Sequence, residues 1–173
     1  MIREATEALI RLLKKQLHAE ALLVPGDDLF EVKRTPSVIL QGPKLTEDSF
    51  RRSQCRLFDN GAQQNFFVTC RFPRLYHLDF ELIVTTARES ELLDFQTGTS
   101  RFLQSHPLLV INSNLELNLT ELVPLGGLNR VNLSNLKQSS GRLRIESCPV
   151  FDGQFTTGRL IQKPIIQFEN TKK

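Results

Sequence analysis

The sequence predicts an α+β protein: a mainly antiparallel β-sheet flanked by two amphipathic helices, with a projecting β-hairpin and an extended C-terminal region. Three observations predict it. Apolar residues recur at three- and four-residue spacing in only two stretches, residues 3–19 and 89–105. Apolar/polar alternation runs through residues 74–86, with only Leu75 and Ile83 apolar on the second face, the signature of a strand with one buried face. Short strand-like runs separated by turn residues fill most of the remainder. Many strands around few helices favour α+β over a doubly wound sheet.

The first helix is expected over residues 3–19, where Ala5, Leu9, Leu12, Leu13 and Leu17 form one apolar stripe. Glu4 and Glu7 near its start and Lys14, Lys15 and His18 near its end complement the helix dipole. Pro25-Gly26-Asp27-Asp28 reads as a turn. Residues 29–33 and 37–41 read as short strands, the second with Val38, Ile39 and Leu40 in a continuous apolar run. Residues 42–52 are polar and read as loop.

Residues 53–58 and 65–71 then form a predicted hairpin around Asp59-Asn60-Gly61, since Asn-Gly supplies the positive φ values of a tight turn. In residues 74–86, Tyr76, Leu78, Phe80, Leu82 and Val84 alternate with His77, Asp79, Glu81 and Thr85. One face of this strand is core; the other is partly wet or an interface. The second helix, residues 89–105, carries Leu92, Phe95, Thr99, Phe102 and Leu103 on one stripe and stops before Pro107. Gly98 sits inside it and is read as allowing close approach to the sheet.

Residues 108–111 and 115–119 read as strands. Gly126-Gly127 breaks the pattern, and residues 131–140 read as loop. Residues 141–148 resume as a strand, with Leu143 and Ile145 opposite Arg142, Arg144 and Glu146. Gly153 marks a turn. A last strand over residues 160–168 is interrupted by Pro164, which suits a sheet edge. The domain expectation is a core of residues 1–125 carrying the hairpin 53–71, with residues 126–173 as an extension of strands and loops in the same domain.

Composition narrows the function classes. With 40% hydrophobic and 24% charged residues, the 173-residue chain is ordinary globular protein, neither disordered nor membrane-like. Charges interrupt the N-terminal stretch, so no signal-peptide core is expected there. Cys55, Cys70 and Cys148 stand far apart and read as small, buried, reduced side chains. A net charge of +3 with acids interleaved throughout does not predict a dedicated nucleic-acid binder.

The sequence offers little chemistry. His18, His77 and His106 have no nucleophile signature beside them, and no clustered ligands predict a metal site. Neither a P-loop nor a dinucleotide fingerprint is present. His77 and Asp79 share one strand face, which can orient an imidazole or make a hydrogen bond between subunits. Glu89, Glu91 and Asp94 read as dipole-complementing acids at a helix start. No catalytic residue, cofactor or metal is predicted. The concentrated charge is arginine: Arg51, Arg52, Arg56, Arg71 and Arg74 lie on or beside the hairpin. Together with His77, Asp79 and Glu81 they are the candidate interface residues, facing an acidic protein surface or passing DNA phosphates.

The segment 76–109, YHLDFELIVTTARESELLDFQTGTSRFLQSHPLL, resembles the phage tail terminator (tail-completion) family and its relatives in contractile injection systems. The resembling features are the N-terminal helix, the long alternating strand from Leu78 to Val84, the acidic link Arg88 to Glu91, and the closing Phe102, Leu103, His106, Pro107 and Leu108. The stretch SGRLRIESCPVFDG, residues 140–153, is also similar to tail-region strands. The resemblance implies a structural, non-enzymatic protein that forms a homo-oligomeric ring, a hexamer, on the end of the tail tube. Such a ring stops tube polymerisation and offers a docking surface to the head connector. The implied partners are other copies of the chain, tail tube and sheath proteins, and neck proteins, with DNA only passing through the lumen and no membrane. The implied location is the virion tail, assembled in the host cytoplasm. The long basic hairpin and the region after Gly126 depart from the family pattern. Another neck, baseplate or sheath-associated subunit and a nucleic-acid-binding module are the alternatives.

Overall fold

The computed structural model describes residues 1–17, 20–24, 35–51, 56–59, 66–112, 115–130 and 135–159. In chain order the elements are α1 (Ile2–Leu17), β1 (Glu20–Val24), β2 (Ser37–Glu47), a 3-10 turn (Ser49–Arg51), β3 (Arg56–Asp59), β4 (Phe66–Arg71), β5 (Arg74–Thr86), α2 (Glu89–Ser105), β6 (Leu108–Ile111), β7 (Leu115–Arg130), β8 (Lys137–Val150) and β9 (Phe155–Arg159). They divide into two compact units, Met1–Arg52 with Arg74–Val150, and Ser53–Pro73 with Phe151–Lys173.

The first unit is a six-stranded sheet in the order β1-β2-β5-β8-β7-β6. β1 runs parallel to β2, and every other pair is antiparallel. Alternation in β5 decides which face is core. Leu78, Phe80, Leu82 and Val84 point to one side, joined there by Val38 and Leu40 of β2, Leu143 and Ile145 of β8, Leu117 and Leu119 of β7, and Leu109 and Ile111 of β6. Both helices pack on that side: Ala5, Leu9, Leu13 and Leu17 of α1, and Leu92 and Phe102 of α2, complete the same cluster. Burying these aliphatic and aromatic side chains is the main stabilising term, roughly 1.5–3 kcal/mol for each large one. The mainly antiparallel α+β architecture is therefore as the sequence predicts.

The second unit is a three-stranded antiparallel sheet, β3-β4-β9. Its hairpin is the predicted one, and β9 adds a third strand, with Phe66 opposite Arg159 and Cys70 opposite Phe155. Gly153, where a turn is expected, takes a positive φ of +72°.

Several elements differ from expectation. Residues 42–47 are strand rather than loop: Gly42 and Pro43 form a bulge between Gln41 and Lys44, after which β2 rejoins β5. β7 continues through Gly126-Gly127, and β8 starts at Lys137, so only residues 131–134 of the expected loop fall outside the described residues. Extra residues on β7 are absorbed as bulges, between Glu121 and Val123, Val123 and Gly126, and Gly126 and Asn129. Bulges bend and twist a strand without ending it. Gly98 approaches α1, not the sheet: a methyl there would meet Leu17 Cδ2 at 3.7 Å. β1 and β9 were not expected. The expected strands at residues 29–33 and 160–168, together with His18, Arg52 and Cys55, lie outside the described residues.

Candidate assembly surface

The sheet face away from the helices is built from the polar half of each alternation. Register places Lys44, Asp79, Arg144 and Thr120 in one row across β2, β5, β8 and β7. A second row holds Gln41, Glu81, Arg142 and Val123. In the first row Arg144 grips Asp79 with two parallel hydrogen bonds, Nε to Oδ1 at 2.6 Å and Nη2 to Oδ2 at 2.9 Å. Both side chains are largely shielded from solvent, and the hydrogen bond from Arg144 to Asp79 holds the guanidinium pKa above its ordinary value. A planar fork meeting a carboxylate edge-on is the most directional ion pair available to side chains. Beside it, Thr120 Oγ1 donates to Glu146 Oε1 at 2.9 Å. Ile39 and Ile83 are buried on this face, further along β2 and β5.

One end of the sheet carries a tight polar cluster. β8 has two residues, Glu146 and Ser147, against the single His77 of β5, and Ser147 takes a positive φ of 55°. This bulge brings the Ser147 N–H to His77 Nδ1 at 3.3 Å. Ser147 Oγ donates to Asp48 Oδ2 at 3.3 Å and accepts from Arg51 Nη1 at 3.2 Å. Asp48 is buried, its backbone N–H donating to Leu75 O at 2.8 Å, and Arg51 Nε lies 3.7 Å from its carboxylate.

Serine, histidine and aspartate thus meet, yet proton placement excludes a nucleophilic triad. His77 Nδ1 already accepts from a backbone N–H, and Nε2 lies 3.8 Å from Asp48, beyond a good hydrogen bond. The Ser147 hydroxyl donates to the Asp48 carboxylate and not to the imidazole, so the serine–histidine hydrogen bond of such a triad is not made. The cluster fastens the 3-10 turn to β5 and β8.

What that turn displays is an aromatic ring. Phe50 is 101% exposed, and Arg51 beside it is 62% exposed. Across the sheet at the same end, β6 turns Leu109 and Ile111 into the core and leaves Leu108 (42%) and Val110 (55%) outside. Exposed Glu116 lies opposite Val110, and Asn118 opposite Leu108. Among the described residues, neither the outer edge of β6 nor the outer edge of residues 44–46 of β2 has a strand partner. Unpaired edges invite another chain unless they are covered. Among the described residues no group of three His, Cys, Asp or Glu side chains converges to hold a metal ion, and no helix is long and apolar enough to cross a membrane.

No protein-family model matches the chain, and no curated protein does. Among 25 solved chains that match it in structure are the following two. One comes from the virion of a native gene transfer agent particle, at 13% identity over 83% of this chain and 90% of that chain, with a TM-score of 0.46. The other is the sheath/tube terminator of an extracellular contractile injection system, PVC, in its extended state, at 15% identity over 99% of this chain, with a TM-score of 0.48. This chain spans 65% of the length of that terminator chain. The likeness is one of fold.

The predicted interface residues are divided between the two units. Arg51, Arg74, His77, Asp79 and Glu81 belong to the first, while Arg56 and Arg71 stand directly opposite each other in the second. Arg71 and Arg74 are exposed. His77 and Asp79 do not pair: one faces Ser147 and Asp48, the other holds Arg144. Phe50, Leu108 and Val110 were missed, since a lone exposed apolar residue breaks no sequence period. Ser147 and Asp48 were missed because their meeting depends on a bulge.

Proposed function

We propose that this chain is a non-enzymatic structural subunit of a tail-like particle, a terminator whose copies form a six-membered ring on the end of the tail tube. The ring stops tube polymerisation and offers the head connector a docking surface, with DNA passing through its lumen and the whole assembly located in the virion tail. The observation that carries this reading is the division of the first unit's sheet. Two helices cover one face, while exposed apolar side chains and unpaired strand edges sit at one end of the sheet among the described residues. A closed ring needs such contacts on different sides of one subunit. The resemblance of segment 76–109 to tail terminators supports the same role.

A nucleic-acid module has weaker support. Arg144, on the face away from the helices, is clamped by Asp79 and so is not free for a phosphate.

The test adds purified protein to growing tail tubes, with mass measured by light scattering and particles imaged in negative stain. The expected result is a six-fold ring at the tube end and arrested elongation. A protein that neither forms rings nor binds tube overturns the reading.

A further inference from the structure

The two exposed apolar features of the first unit differ in kind, and each supplies what the other lacks. On one side a single ring, Phe50, stands fully in water on a turn that is not free to fold it away. The residues flanking it are tied down: Asp48 by its backbone N–H to Leu75 O and by the Ser147 hydroxyl, and Arg51 by its own bond to Ser147. An aromatic side chain held outward by a pre-ordered turn loses little freedom on docking, which is how a few residues come to dominate an interface. On the other side, Leu108 and Val110 make a small apolar shelf with the carboxylate of Glu116 beside it.

We propose that these are the two halves of one joint between copies of this chain: Phe50 of one copy seats on Leu108 and Val110 of the next, and Arg51 meets the neighbour's Glu116. The inference rests on the reading above that copies assemble, and it names the surfaces that meet. Charge complementarity favours a second copy as occupant, since the knob carries an arginine and the shelf a glutamate. Position favours it too. Residue 47 of β2 is level with Tyr76 of β5, and Tyr76 with Cys148 of β8, while β7 begins beyond the pairing of Leu119 with Ile145. Knob and shelf therefore lie at the same end of the sheet with β5, β8 and β7 between them. The separation is four strand spacings, about 19 Å along the sheet. A contact between two different patches is head-to-tail, so it repeats from copy to copy and closes when the rotation allows. Among the described residues, the outer edge of β6 and that of residues 44–46 of β2 have no strand partner, and backbone pairing across the joint can add to it.

Sedimentation velocity on the full chain tests the joint, using wild type, Phe50→Asp, Val110→Asp and an equimolar mixture of the two variants. Both positions are exposed, and circular dichroism checks that each variant keeps its fold. Wild type is expected to gain mass with concentration, and each variant to stay monomeric. The mixture is expected to give a dimer and nothing larger, because one intact knob meets one intact shelf and neither chain can extend further. Phe50→Ala is expected to weaken self-association about 30-fold or more. A wild type that is monomeric up to its solubility limit overturns the joint, as does a mixture that stays monomeric. Variants that assemble like wild type overturn it as well, while leaving the terminator reading intact. That reading is scored separately by capping of tubes.

Discussion

Replacing Gly98 by alanine is expected to stabilise the first unit by about 1 kcal/mol. Gly98 lies inside α2 with helical neighbours on both sides, where glycine is worse than alanine by about 0.8–1.0 kcal/mol. The difference arises in the unfolded chain, whose glycine has more conformations to lose. Whether the gain is realised depends on the space for one methyl. The nearest atom to a Cβ built there is Leu17 Cδ2 at 3.7 Å, an ordinary van der Waals contact made with the flexible end of a side chain. The methyl adds a contact between α2 and α1 with no clash. In urea, with a slope of about 2 kcal/mol/M, the midpoint followed by circular dichroism should rise by about 0.5 M at unchanged slope. In a scan Tm should rise by about 2–4 °C. A midpoint that falls refutes the reasoning, since it means that the two helices approach more closely at this position than the 3.7 Å contact allows.

Two other glycines should respond with the opposite sign. At Gly42, φ is +124° and a Cβ would lie 2.9 Å from the Asp79 carbonyl oxygen; at Gly141 it would lie 2.9 Å from Val123 O and 3.0 Å from Leu125 N. These neighbours are backbone and cannot turn aside, so each alanine variant should lose on the order of 2–3 kcal/mol in the same urea titration. Cys148 is fully buried, and burial pushes its thiol pKa up, with Glu4 adding to the rise and the N-terminal ammonium opposing it. A raised native pKa means stability that is present below the unfolded thiol value, about 8.5, and lost as pH rises through the native one. Unfolding free energy should therefore decline on the alkaline side, and the decline should be shallower in Cys148→Ala; alkylation at mildly alkaline pH should modify Cys148 only after denaturant is added.

The parts of the fold that were legible are those with a strong single period. β5 and α2 are legible to the residue, because Leu78 to Val84 alternate with Ile83 as the one exception and the stripe from Leu92 to Phe102 is closed by Pro107. The parts that were not legible are those where tertiary pairing overrides local signals. Gly42-Pro43 reads as loop because both residues break regular strands, yet the break is two residues wide and β5 continues beside it to receive Lys44 again. Gly126-Gly127 misled for the same reason, since β8 pairs with Gly126 regardless of its weak strand preference. β1 is not legible because Leu22, Leu23 and Val24 show no alternation and the strand starts at Glu20, only two residues after the helix. At the candidate surface, the outward charges of β5 and β8 were visible in the sequence, whereas the match of Asp79 with Arg144 awaited the register.

The bulged course of β7 has a consequence for how the sheet is shaped. Three times β7 advances by one more residue than β8 does between successive pairings, as a runner in the outer lane covers more ground around a bend. Curvature at this border is thus written in the number of residues rather than in their chemistry. Deleting Leu122 would shorten the outer lane by one step and turn Leu125 from the interior toward water. Along this stretch the number of residues sets the bend, whichever side chains lie outside the core.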